Sequence, residues 1–211
     1  MSEEKRAPEP PEWDWNFGLI AHLDVETDGL WLPGYPPPLM LEIALVLTRG
    51  DLRVLDRYEA VIRHPESVIR NLKPPAIVAE MHTKNGLWAD LLHGETVKPA
   101  DAERAMVDMI DYHRPRSGRG APVVWAGFSP GSLDRPLVSL LMPSLYRRFH
   151  HRVLDVSSLK LAMLNFAGTP LPESEASHRA MGDVLEEIEV LRAYREQLGA
   201  LVPAPVEIAL S

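Results

Sequence analysis

The apolar segments of this chain change their spacing part-way along, and that order leaves few folds open. Phe17 to Val25 (FGLIAHLDV), Leu41 to Leu47 and Leu52 to Ile62 are runs of strand length and predict three strands joined as a meander. From Pro99 the spacing becomes helical, with Ala102, Ala105, Met106, Met109 and Ile110 on one face and Asp101 in the first turn. A fourth strand over Pro122 to Ala126 follows the loop RPRSGRG. Then come a helix over Leu133 to Leu141, a fifth strand over Arg152 to Val156 and a helix over Ser158 to Asn165. The last helix, Ala176 to Leu198, carries Ala180, Val184, Ile188 and Leu191 on its buried stripe. Three strands followed by alternating helices and strands predict one α/β domain with a mixed five-stranded sheet flanked by helices. The domain is expected over 17–198. The prolines before Trp13 predict a disordered leader over 1–16, those from Pro33 to Pro38 an extended loop, and the aperiodic 199–211 a flexible tail.

Composition narrows the function. The absence of cysteine excludes a disulfide scaffold and any thiolate-bound metal. No apolar run approaches the roughly 20 residues that cross a bilayer, and the acidic, proline-rich start is unlike a secretory signal, so no membrane partner and a cytoplasmic location are expected. A net charge of -8 is the wrong sign for coating long nucleic acid, so a polyanion must be met locally. An acidic excess does suit carboxylates gathered around hard cations.

Three places concentrate those carboxylates. In LDVETDGL, Asp24 and Glu26 stand two apart at a strand end, which sends both to one face, where like charges so close need a cation. A calcium loop imitates this opening but fails, because its twelfth position is Tyr35 and a strand precedes it. Asp134 follows the fourth strand at the start of a helix. In SHRAMGDV, His178 and Asp183 are five apart, about 140° around a helix, so His178 is expected at or before the first turn, leaning over a site that Asp183 enters.

Together these residues resemble the DEDDh branch of the DnaQ-like 3′-to-5′ exonucleases, and within it the oligoribonuclease family. HTKNGL (His82 to Leu87), RFHHRVLDVSSLK (Arg148 to Lys160) and HRAMGDV with AYREQL are similar to that family's blocks, over roughly residues 17 to 198. The resemblance implies an RNase H-like fold and hydrolysis of short oligoribonucleotides from single-stranded 3′ ends, releasing nucleoside 5′-monophosphates, by a homodimer. It implies that Asp24, Glu26, Asp134 and Asp183 hold two Mg²⁺ or Mn²⁺ ions and that His178 is the general base, since an imidazole can take a proton near neutrality. It also implies a terminal base against Leu30, with His82, Ser129, Arg152 and Ser157 binding the substrate and its 5′ phosphate.

The chain departs from the pattern at Asp28, Phe128, Gly182, Ile77 (for a stacking Trp) and His151 (for Tyr). Weaker base stacking is therefore expected, with Trp31 or Tyr35 as replacements. Two other readings stand beside this one. One is a general single-strand DNA or RNA exonuclease, and the other is a silent DnaQ-fold binding module, against which the intact set of five residues argues.

Overall fold

A computed structural model describes residues 18–32, 34–114, 123–169 and 177–201. The meander is present as β1 (Leu19–Thr27), β2 (Met40–Thr48) and β3 (Val54–Val61). Three short helices follow: α1 (Glu66–Asn71), α2 (Ala76–Lys84) and α3 (Leu87–His93). Next are α4 (Pro99–His113), β4 (Val123–Gly127), α5 (Asp134–Leu141) and the single turn α6 (Pro143–Tyr146). The last elements among the described residues are β5 (Phe149–Asp155), α7 (Val156–Ala167) and α8 (Ala180–Leu201).

The sheet order is β3-β2-β1-β4-β5. β1 is antiparallel to β2 and parallel to β4, and β4 is parallel to β5, so the sheet is mixed as expected. One face is sealed by Leu19, Ala21, Leu23 and Val25 of β1 with Trp125, Met106, Ile110, Leu137 and Leu145. Against the other face lies α8, whose Ala180, Val184 and Ile188 pack on Ala44 and Val46 of β2. The even-numbered side chains of β1 therefore point toward α8, because successive strand residues alternate faces.

Several boundaries differ from the expectation. Leu52 adopts a left-handed conformation (φ 63°) and its N–H bonds to the Arg49 carbonyl at 2.8 Å, so it belongs to the β2–β3 turn and the strand begins two residues later. β5 begins at Phe149 rather than Arg152. α8 begins at Ala180 and continues through Leu201, so the expected tail is helical for its first three residues. The leader over 1–16, the rest of that tail and most of the RPRSGRG loop lie outside the described residues.

Candidate active site

β1 is the central strand, and its pairing with β4 stops at His22 opposite Ala126. Asp24 and Glu26 thus project beyond the point where β4 has turned away, at the carboxyl end of the three parallel strands, where open α/β sheets place their ligands. The β1–β2 register slips between Glu26 and Thr27, a bulge of the kind found beside active sites. Asp134 enters from the first residue of α5 and Asp183 from the first turn of α8.

One oxygen each from Asp24, Glu26 and Asp183 lies within 4.8 Å of the others. Asp134 stands outside this triad, yet its charge acts on both Asp24 and Glu26. Burial is the main cause of the raised pKa in every member. Asp24 is raised well above the ordinary carboxylate range, first by burial and then by Asp134, Glu26 and Asp183. Glu26 is pushed up to about 8 by burial, helped by Asp183, Glu42 and Asp134 and opposed by Arg179. Asp134 is pushed up to about 7 by burial, although hydrogen bonds from its own amide and that of Val25 pull it down. Asp183 is raised by burial against the bond from Ser177. Buried like charges without a counterion favour protonation, and a divalent cation reverses that preference. The donor set, all hard oxygens, suits Mg²⁺ or Mn²⁺.

The segment before α8 is folded around Asp183. Its Oδ1 accepts from the Ser177 amide (3.1 Å), the Ser177 hydroxyl (2.9 Å) and the His178 amide (3.2 Å). His178 precedes the helix in a left-handed conformation (φ 49°), exposed in a cavity of about 590 Å³ that also touches Ile77, Met81, Lys84 and Asn85. The departure at Gly182 has a local cause: a Cβ there would clash with Ser177 Oγ and come 2.8 Å from its Cβ. Asp28 has one too, closing the proline loop by accepting from the Leu39 amide at 2.7 Å and donating its own amide to the Leu39 carbonyl at 3.3 Å. That loop walls a second cavity of about 590 Å³, which holds Leu30, Tyr35 and Lys73 and shares Ile77 with the first. Leu30 is 76% exposed there.

The other expected substrate contacts are placed less uniformly. Gly127 pairs with Asp155, so Ser129 and Ser157, each two residues on, leave the ends of adjacent parallel strands. Arg152 lies earlier on the edge strand β5 and is exposed. His82 is buried: its ring is 0% exposed, its Nε2 donates to the Thr27 carbonyl at 2.9 Å, and it lies 3.8 Å from Glu26. It braces the end of β1 beside the carboxylates. Within the basic stretch, Arg148 is held by both oxygens of Asp111 (2.9 and 2.7 Å). Phe128 packs inward with Leu154 and Leu159, under the Lys160 ammonium.

Two long-range networks escaped the sequence reading. Glu187, 1% exposed, bonds His22 Nδ1 at 2.7 Å, and His22 Nε2 reaches Thr48 Oγ1 at 3.0 Å. The signals were there: His22 is in phase with Asp24 and Glu26, and Glu187 falls on the apolar stripe of α8. The second network joins Glu42, Arg179 and Asp90.

No protein-family model matches the chain. It is 35% identical over 190 residues to a protein named oligoribonuclease from Streptomyces coelicolor, covering 88% of this chain and 90% of that one. It is 32% identical to the oligoribonuclease of Nocardia farcinica, over 89% of this chain and 84% of that one. Among solved structures, exonuclease I of Methylocaldum szegediense superposes with a TM-score of 0.62 at 16% identity, over 87% of this chain and 41% of that one. The Mg²⁺- and Mn²⁺-bound form of Pop2p from S. pombe gives 0.58 at 10% identity, over 88% and 86%. The fold of these nucleases is therefore the fold of this chain.

Proposed function

Because the chain belongs to the oligoribonuclease family and is a 3′-to-5′ exoribonuclease, we propose that its reaction centre is formed by Asp24, Glu26, Asp134, Asp183 and His178, within a single domain over 17–198. The observation that carries this reading is the convergence of Asp24, Glu26 and Asp183 within 4.8 Å, in a half-buried site next to an exposed histidine. Asp24, Glu26 and Asp183 would hold one divalent ion and Asp134 would share a second. When bound, such ions supply electrostatic stabilisation of the phosphoryl charge.

The chain's own groups do the rest. His178 accepts a proton from the attacking water as its oxygen bonds to phosphorus and the P–O3′ bond breaks. The departing O3′ takes up a proton, leaving a nucleoside 5′-monophosphate. Asp183 Oδ1 is committed to three donors from Ser177 and His178, so Oδ2 is the oxygen left for a cation. Leu30 and Ile77 bound the space for the terminal base, and Tyr35, 69% exposed in the same cavity, replaces the missing aromatic. Trp31 is less suited, since it is not among the residues that line this cavity. Ser129, Ser157 and Arg152 receive the 5′ phosphate of a short substrate. A second copy of the chain is expected against α7, where Leu161 (62%) and Phe166 (89%) are exposed. Among the described residues no helix is long and apolar enough to cross a membrane.

Labelled RNA and DNA ladders of two to about twenty nucleotides, incubated with Mg²⁺ or Mn²⁺, test the substrate reading. Faster loss of the shortest RNAs supports it. Equal rates on DNA and on all lengths would assign the chain a general single-strand activity.

A further inference from the structure

His178 is held in a conformation it does not prefer. A residue other than glycine at positive φ persists only where its surroundings over-determine it, and here they do so from three elements. Arg179 Nε and Nη2 grip the Glu42 carboxylate of β2 at 3.1 and 2.7 Å. Nη2 also reaches Asp90 of α3 at 2.9 Å, and Nη1 donates to the Asn85 carbonyl at 3.2 Å. The second Glu42 oxygen accepts from the Ala180 amide at 2.9 Å, which fixes the residue on the far side of Arg179. The Asn85 side chain, at the end of α2, donates to the His178 carbonyl. Both backbone neighbours of the His178–Arg179 peptide are thereby tied to the sheet and to the α2–α3 corner.

Glu42 has a second significance. It is the direct β2 partner of Glu26 and is 4% exposed, so it is one more buried carboxylate beside the proposed cation site. A buried charge must be paired, and the bidentate guanidinium does that while leaving Glu26 to face the cluster.

We propose that Arg179 and Glu42 are positioning residues of the reaction: their ion pair fixes His178 over the carboxylates. This rests on His178 being the general base, and it predicts that loss of the clamp acts through His178 rather than through binding. The test uses the full chain with a labelled RNA dinucleotide in Mn²⁺, measuring kcat, KM, Mn²⁺ affinity by calorimetry, and thermal unfolding.

Arg179→Gln is expected to lower kcat by about 10- to 100-fold, the scale of a misplaced catalytic group, with KM changed by less than about twofold. In a His178→Ala background the same substitution should lower kcat by less than about twofold, because a residue that acts through another adds nothing once that residue is gone. Glu42→Gln combined with Arg179→Gln should recover the thermal stability lost in Arg179→Gln, since the orphaned buried charge is removed, but not its kcat. Arg179→Lys, which keeps the charge without the fork, should retain more stability than Arg179→Gln and remain slow. Additive losses with His178→Ala, or a kcat that recovers together with stability in the double variant, overturn the proposal. A large loss in His178→Ala with none in Arg179→Gln overturns the clamp alone. Undiminished turnover in His178→Ala overturns the assignment of the base, and the clamp with it.

Discussion

Removing divalent cations should make this protein's stability fall as the pH rises, and the carboxylate cluster sets the size of the effect. Glu26 is moved from its ordinary 4.5 to about 8 and Asp134 from 3.8 to about 7. Both carboxyls are raised in the folded state, so the folded chain holds protons that the unfolded chain has already released. Stability from these groups is fully present below their unfolded values and is lost as pH climbs through the folded ones. His82 acts oppositely, because burial lowers its pKa, but only below its ordinary 6.5. Between pH 6.5 and 8 the carboxylates therefore dominate. Glu26 and Asp134 together lose about 2 kcal/mol over that interval at about 1.4 kcal/mol per proton per pH unit. At about 2 to 4 °C per kcal/mol for a chain of this size, that lowers Tm by roughly 4 to 8 °C. Thermal unfolding in EDTA at pH 6.5, 7.2 and 8.0, followed by circular dichroism, measures it. Repeating the series in Mn²⁺ should remove the decline, since cation binding favours the ionised carboxylates. A Tm in EDTA that stays flat or rises over this interval, with no gain from Mn²⁺, refutes the reasoning.

His178→Ala should lower turnover by roughly 10²- to 10⁴-fold, the range for a lost general base, while calorimetry shows Mn²⁺ binding preserved. Gly182→Ala should fail to gain the ~1 kcal/mol that alanine normally adds to a helix interior, because Ser177 must move, and thermal unfolding will show no rise in Tm. Arg152→Ala should slow RNA dinucleotides more than twenty-mers in a ladder assay, removing a charge-assisted contact of about 1.5 to 3 kcal/mol that only a short substrate gains. Light scattering coupled to gel filtration should find two copies of the chain, and Phe166→Asp should shift that mass toward one.

What could be read from the sequence followed from local periodicity. Asp24 and Glu26 share a face because strands repeat every two residues, and the stripe Ala180, Val184, Ile188 and Leu191 is buried as its spacing requires. Helices α1 to α3 were missed because each has fewer than ten residues and two are entered from a proline, Pro65 or Pro75, leaving no run long enough to display a helical period. The Glu42–Arg179 and His22–Glu187 pairs were hidden for another reason: their members are 137 and 165 residues apart, and only the packing of α8 on β1 and β2 joins them. Gly182 stood out only as a departure from the family pattern, whereas the structure shows that Ser177 occupies the space a Cβ would take there.

The most direct test of the proposed centre follows a 5′-labelled RNA pentanucleotide with time, with wild-type protein and with Asp24→Asn, in Mn²⁺ and in EDTA. The wild type in Mn²⁺ should shorten the label stepwise from the 3′ end and release nucleoside 5′-monophosphates, while EDTA or Asp24→Asn abolishes the reaction in a protein that still unfolds cooperatively. Stepwise shortening that persists in folded Asp24→Asn, or in EDTA, would contradict the assignment of the carboxylates as the reaction centre.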